Sequence, residues 1–203
     1  MLDAYLRPII NTPLEKISTL LLKKKISPNQ ITYTGFLLGV IAAIFLALQL
    51  YMTALVFILL SRLMDGLDGA LARVGNTASD YGGYIDIVLD FIFYSGIIFA
   101  FALGHPDQAM YAAFLIFSFM GTGSSFLAYA IIAERRGMET VARGKKSFFH
   151  TGGLAEGTET IATLCLICLL PQHFYLWAIL FGMMCWLTTF GRIVEAKENF
   201  DKA

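Results

Sequence analysis

Four aspartates, Asp65, Asp68, Asp86 and Asp90, stand in stretches of chain that are otherwise almost free of charge. Acids in such surroundings are expensive to bury and mark a functional site by default. Asp65 and Asp68 are spaced i,i+3 and Asp86 and Asp90 i,i+4, so on helices each pair shares one face. At about 1.5 Å per residue, Asp65 lies roughly 12 Å before Arg73 and Asp90 roughly 12 Å beyond Gly82. An antiparallel hairpin through residues 74–81 therefore predicts two rows of carboxylates at matched depth. Four clustered anions in a low dielectric repel one another unless cations sit among them. All-oxygen donors select hard ions, magnesium, manganese or calcium, over zinc. With room for two ions, such a cluster suits clamping a phosphoryl group while one ester oxygen replaces another. Gly66, Gly69, Ala70, Ala72, Gly82 and Gly83 strip the helices of bulk and predict close approach of a ligand to backbone. Arg73 is placed to pair with a phosphate oxygen. Arg62, three residues before Asp65, is read as neutralising the carboxylates or touching a nucleotide.

The elements that position these groups are membrane helices. Of 203 residues, 57% are hydrophobic and only 15% charged, against about 45–50% and 25% in ordinary globular domains. No Asp, Glu, Lys or Arg occurs over 26–61, 91–106, 108–133 or 160–191. A bilayer core of about 30 Å needs roughly 20 apolar residues per spanning helix. That excludes a soluble enzyme, a nucleic-acid module and a disulfide-stapled secreted domain. The expected fold is all-α, a bundle of six membrane helices over 31–50, 52–73, 82–103, 110–133, 157–170 and 174–194. Gly104-His105-Pro106 and Pro171-Gln172-His173 mark two turns.

Lys and Arg gather before the first span, between the fourth and fifth, and after the sixth, and the loops after spans one, three and five have none. The positive-inside rule then places both termini, the loop 74–81 and the loop 134–156 on the cytoplasmic side of an inner or plasma membrane. Residues 1–30 are expected to form an amphipathic segment on the inner leaflet, interrupted at Pro8 and Pro13, with 31–203 as the catalytic membrane domain. A basic tail that only sets topology is the plainer reading of the same segment. Gly35 and Gly39 read as helix packing, as do Cys165, Cys168 and Cys185.

Asp65 to Asp90 reads Asp-x2-Asp-Gly-x2-Ala-Arg-x8-Gly-x3-Asp-x3-Asp. This resembles the signature of the CDP-alcohol phosphotransferases, and every fixed position is filled. The resemblance implies attack by an alcohol on the lipid-side phosphorus of a CDP-linked lipid, usually CDP-diacylglycerol, with release of CMP. It implies Asp65, Asp68 and Asp86 as metal ligands, and Asp90 as a contributor to the metal site and general base, around two Mg2+ or Mn2+ ions. It implies Asp68, Gly69, Ala72, Arg73 and Gly82 as lining for cytidine and pyrophosphate. Pro28-Asn29-Gln30-Ile31-Thr32 matches a run that the family places beside the nucleotide, bringing in Pro28, Asn29 and Thr32. Ser27-Pro28-Asn29 also reads as a helix start. Members of the family pair as homodimers, which is expected here by resemblance alone.

The acceptor alcohol is less legible. Ile87 and Phe91 replace the Pro and Lys usual after the third and fourth Asp of bacterial phosphatidylglycerophosphate synthases, which speaks against glycerol 3-phosphate and leaves serine, inositol phosphate and other polar alcohols. Arg143, Lys145 and Lys146 are candidates for binding an anionic acceptor, although a basic loop also serves topology. Glu156 and Glu159 are read either as acceptor contacts or as partners of a helix dipole. Two rivals stand beside the transferase: an ion- or proton-coupled transporter, which predicts midplane carboxylates and an inverted repeat that the sequence lacks, and a catalytically inactive assembly protein.

Overall fold

The computed structural model describes residues 3–138 and 153–201. Among them the chain forms α-helices and two short 3₁₀ turns, with no strand. The helices are α1 (Asp3–Lys23), α2 (Pro28–Ala47), α3 (Tyr51–Gly75), α4 (Asp80–Gly104), α5 (Ala109–Arg135), α6 (Gly157–Leu169) and α7 (Phe174–Phe200). The 3₁₀ turns, Pro106–Gln108 and Pro171–His173, fall where proline forbids continuation of a helix.

Helix ends follow local chemistry. Ser27 and Gln30 cap α2 reciprocally, Ser27 Oγ accepting from the Gln30 N–H at 3.3 Å and Gln30 Oε1 from the Ser27 N–H at 2.9 Å, with Pro28 in the first turn. Asn76 ends α3 in the left-handed conformation (φ 52°), and the Thr77 N–H closes onto the Ala72 carbonyl at 3.0 Å. Ser79 then caps α4 by accepting from the Gly82 N–H at 3.1 Å. The α3–α4 connection is therefore only 76–79, and it fixes the register of the aspartates on both helices. α1 runs unbroken past Pro8 and Pro13, which interrupt the apolar pattern but not the expected N-terminal helix. It is held along α3, where Leu14 meets Leu67, Ala70 and Leu71.

Four helical stretches, Pro28–Ala47, Asp80–Gly104, Pro106–Arg135 and Pro171–Phe200, are long and apolar enough to cross a membrane. α3 matches α4 in length at 25 residues but carries Arg62, Asp65, Asp68 and Arg73, and α6 has only 13 residues. Large apolar side chains cover the outside as well: Leu37, Leu103, Phe117, Met120 and Phe190 are all exposed. Such a surface suits lipid and not water. The main core joins Ala42 and Leu46 of α2, Ile58 of α3, Phe101 of α4, Leu115 of α5, Ile167 of α6 and Phe181 of α7. Cys168 and Cys185 lie in it as free thiols, in keeping with a packing role.

α2 is the keel of the site. It packs along both α3 and α4, which make little backbone contact with each other. Glycines permit this approach: a Cβ on Gly35 would lie 2.9 Å from Met64 Cβ, and one on Gly39 2.5 Å from the Phe93 ring. The carboxylates of α3 and α4 thus face each other as the hairpin reading expects, with α2 packed along both helices.

Candidate active site

All four aspartates line one small pocket between α2, α3 and α4, together with Thr32, Ser61 and Arg62. Within it Asp65, Asp86 and Asp90 each offer an oxygen, and these atoms lie within 4.8 Å of one another. A hard divalent ion bound at about 2.1–2.5 Å spaces its ligand oxygens by roughly 3–5 Å, so the three carboxylates fit such an ion in number, chemistry and span. Asp68 stands beside this trio. It is 6% exposed, and its Oδ2 accepts from Thr32 Oγ1 at 2.6 Å, a short charge-assisted bond that ties α3 to the start of α2.

Residues assigned to the nucleotide gather at the same end of the helices. A Cβ on Gly82 would come within 3.1 Å of Asn29 Oδ1, so these two positions are neighbours, and one on Gly69 within 3.3 Å of Arg73 Nη1. Arg73 is exposed, Ala72 and Asn29 are half-buried, and the Tyr33 and Tyr81 hydroxyls join α2 to α4 at 2.8 Å. Pro28 occupies the first turn of α2 as the helix-start reading expects. The small residues are not all turned to a ligand, however. Gly66 faces Leu14 of α1 and Ala70 is fully buried in that same contact. They serve to seat α1, because an i,i+4 pair on α3 cannot also face the aspartate side.

Arg62 lies one turn deeper than Asp65, with its side chain 7% exposed. Its Nη1 donates to Asp90 Oδ1 at 2.6 Å and to the Tyr94 hydroxyl at 3.2 Å, and lies 3.7 Å from Asp65 Oδ1. Its Nη2 donates to Ser61 Oγ at 3.2 Å, and its guanidinium carbon sits 3.9 Å from the Phe93 ring centroid. Of the two sequence readings, the neutralising one matches these contacts.

A larger cleft of about 390 Å³ opens from Asp65, Asp86 and Asp90 toward α5, α6 and α7. Its far wall includes Thr122, Glu156, Thr160 and Arg192. Arg192 is 7% exposed; Nη1 donates to the Thr122 carbonyl at 2.8 Å and to Thr122 Oγ1 at 3.1 Å, while the buried Nε has no hydrogen-bond partner. The strand of chain entering α6 is pinned to α7 by the Ala155 N–H on Thr188 Oγ1 at 3.0 Å, and Glu156 Oε1 accepts from the Gly153 N–H at 3.0 Å. Glu156 was flagged from sequence, but Arg192, Thr122 and Tyr94 were not assigned a place. An arginine at the end of an apolar span was a usable signal for Arg192; nothing in the sequence marks Thr122 or Tyr94. Arg143, Lys145 and Lys146 lie outside the described residues.

Comparison with known proteins agrees with this geometry. The CDP-alcohol phosphatidyltransferase family model matches residues 25–194. The chain is 48% identical over 194 residues to the inner membrane protein YnjF of Escherichia coli (strain K12), covering 95% of this chain and 94% of that one. It is 31% identical over 197 residues to the archaetidylinositol phosphate synthase of Pyrococcus horikoshii, covering 97% of each. The fold resembles that of Mycobacterium tuberculosis phosphatidylinositol phosphate synthase (PgsA1), solved with manganese and citrate, at a TM-score of 0.68 and 18% identity over 89% of this chain and 87% of that one. It also resembles the same enzyme with CDP-DAG bound, at 0.66 and 17% over 91% and 93%. Family match, full-length relatives and a filled signature on adjoining helices agree: this chain is a membrane transferase belonging to the CDP-alcohol phosphatidyltransferase family.

Proposed function

We propose that this protein transfers a phosphatidyl-type group from a CDP-linked lipid, CDP-diacylglycerol in the first instance, to the hydroxyl of a phosphorylated polyol, releasing CMP. The observation that carries the reading is the convergence of Asp65, Asp86 and Asp90 within 4.8 Å at the mouth of the cleft that contains Arg192. Asp65, Asp68, Asp86 and Asp90 would hold two Mg2+ or Mn2+ ions, with Thr32 fixing Asp68. When bound, the ions supply charge neutralisation for the diphosphate and the leaving CMP. Asp90 accepts the proton of the attacking hydroxyl as its oxygen bonds to the lipid-side phosphorus and the bond to the CMP phosphate breaks. Asn29, Gly69, Ala72, Arg73 and Gly82 cradle the nucleotide end.

The acceptor class is supported by Arg192, whose buried Nε is free to donate to an anionic group in the cleft, and by the inositol phosphate product class named for the Pyrococcus relative. Glu156 and Thr160 on the same wall suit hydroxyl groups. In this reading α2 to α7 make six spans, both termini and the site face the cytoplasm, α1 lies at the inner interface, and two copies pair as in the family. The transporter alternative gains nothing from a cluster that opens beside the nucleotide-type residues of α2.

The test is CMP release by purified protein in detergent with CDP-diacylglycerol and Mg2+ or Mn2+, across inositol phosphate, glycerol 3-phosphate, serine and no acceptor, with Asp90→Asn as control. Release that depends on inositol phosphate and vanishes in the variant is the expected result. Release with serine only would overturn the acceptor class, and absence of both CDP binding and CMP release would overturn the reaction.

A further inference from the structure

Arg62 is built into the site more firmly than a substrate contact requires. Its guanidinium is held by Asp90, Tyr94 and Ser61, lies against the Phe93 ring, and is buried at the deep end of the cluster. The seat is itself supported from α2, because only a glycine at position 39 leaves room for the Phe93 ring. The groups assigned to the nucleotide, Asn29, Gly69, Arg73 and Gly82, lie at the opposite end of the pocket, two or more turns away along α3 from Arg62. Of the other residues assigned to the nucleotide, Thr32 and Asp68 share the pocket of Arg62. Arg62 touches two of the three carboxylates that converge for a cation.

Two consequences follow from that contact. One oxygen of Asp90 is committed to Arg62 at 2.6 Å, which restrains the orientation of the carboxylate. A permanent positive charge also stands against the cation site, 3.7 Å from Asp65 and closer still to Asp90. Like charges at this range, in a partly dry pocket, cost a divalent ion at least a decade of affinity even with strong screening. We propose that Arg62 is a positioning residue with two effects: it sets the orientation of Asp90 and it holds down the affinity of the carboxylate cluster for divalent cations. The inference rests on reading the cluster as the metal centre of the transfer reaction.

The two effects separate by experiment. Mn2+ is titrated into the purified full-length protein in detergent without nucleotide, free Mn2+ being read by electron paramagnetic resonance, for wild type, Arg62→Gln and Arg62→Lys. Arg62→Gln is expected to bind Mn2+ at least tenfold more tightly while kcat for CMP release falls at least a hundredfold and the KM for the CDP-lipid stays within threefold. Arg62→Lys keeps the charge but loses the fork, so its Mn2+ affinity stays within threefold of wild type while kcat falls at least tenfold. Unchanged or weaker Mn2+ binding in Arg62→Gln, or a raised CDP-lipid KM with kcat intact in either variant, overturns the proposal. Should Arg62→Gln not yield monodisperse protein, Arg62→Lys decides: full kcat, or a Mn2+ affinity shifted tenfold, overturns it. A wild type that binds Mn2+ but neither binds CDP nor releases CMP sinks the proposed reaction and leaves the titration valid; a wild type that binds no Mn2+ sinks both.

Discussion

Replacing Thr32 with valine isolates a single bond in the site. The side chains are nearly isosteric, so α2 keeps its packing and no cavity opens, but the hydroxyl that donates to Asp68 Oδ2 at 2.6 Å is gone. That hydroxyl has one proton and two acceptors in reach, the carboxylate and the Pro28 carbonyl at 3.2 Å; the shorter, charged partner takes it. A hydrogen bond to a charged group contributes about 1.5–3 kcal/mol, and Asp68, only 6% exposed, has little water to substitute for it. At about 1.4 kcal/mol per decade the expected loss in kcat/KM for the CDP-lipid is roughly 10- to 150-fold. The assay is initial-rate CMP release at varied CDP-diacylglycerol and saturating acceptor, with Thr32→Ser as the control that restores the hydroxyl to within about threefold of wild type. A Thr32→Val enzyme within twofold of wild type would show that Asp68 needs no support from α2, and would refute its assignment to the reacting end of the pocket.

Asp90→Asn keeps the shape of the site but removes the proton acceptor; CMP release should fall by about 10²–10⁴, with CDP-lipid binding retained in an equilibrium assay. Chelation with EDTA should abolish turnover and addition of Mg2+ or Mn2+ restore it, whereas activity surviving exhaustive chelation would remove the metal from the reading. Gly39→Ala puts a Cβ 2.5 Å from the Phe93 ring, so the ring must move, at a cost of about 1–3 kcal/mol; both melting temperature and kcat should drop, since Arg62 rests on that ring. Arg192→Gln should raise the KM for a phosphorylated acceptor about tenfold or more and leave the KM for the CDP-lipid unchanged, a split read directly from two substrate titrations.

The aspartate cluster was legible because it is local in sequence. Asp65 to Asp90 sits on two helices joined by four residues, so spacing alone, with helical rise, placed the carboxylates at matching depth, and Thr32 and Asn29 came with a run that matched the family. The helix boundaries followed from the apolar stretches and caps: the expected span over 82–103 is Asp80–Gly104 in the structure, and that over 110–133 is Ala109–Arg135. What escaped was whatever depends on which helices touch. Gly66 and Ala70 look like ligand clearance in sequence but face α1. α2 stands between α3 and α4, a packing choice made by Gly35, Gly39 and their partners on distant segments. Arg192 and Thr122 are 70 positions apart and share a wall only after α5 and α7 have paired. α3 is as long as α4 but less apolar, because it carries Arg62, Asp65, Asp68 and Arg73.

The balance of charge gives the site its logic. Four aspartates bring four formal negative charges into one pocket, and Arg62 is a cation in contact with two of them; Arg73 is exposed beside Gly69 and Arg192 stands on the far wall of the cleft. An excess of negative charge in so small a volume is costly in a low dielectric. Divalent ions held among the carboxylates would offset that excess, which is the condition under which a diphosphate could enter. In the proposed reaction the departing CMP would carry negative charge away with it, leaving any bound cations with less counter-charge. On the proposal above, a buried arginine at the base of the cluster tempers its hold on cations: the deep end of the pocket is closed by Arg62 against the Phe93 ring.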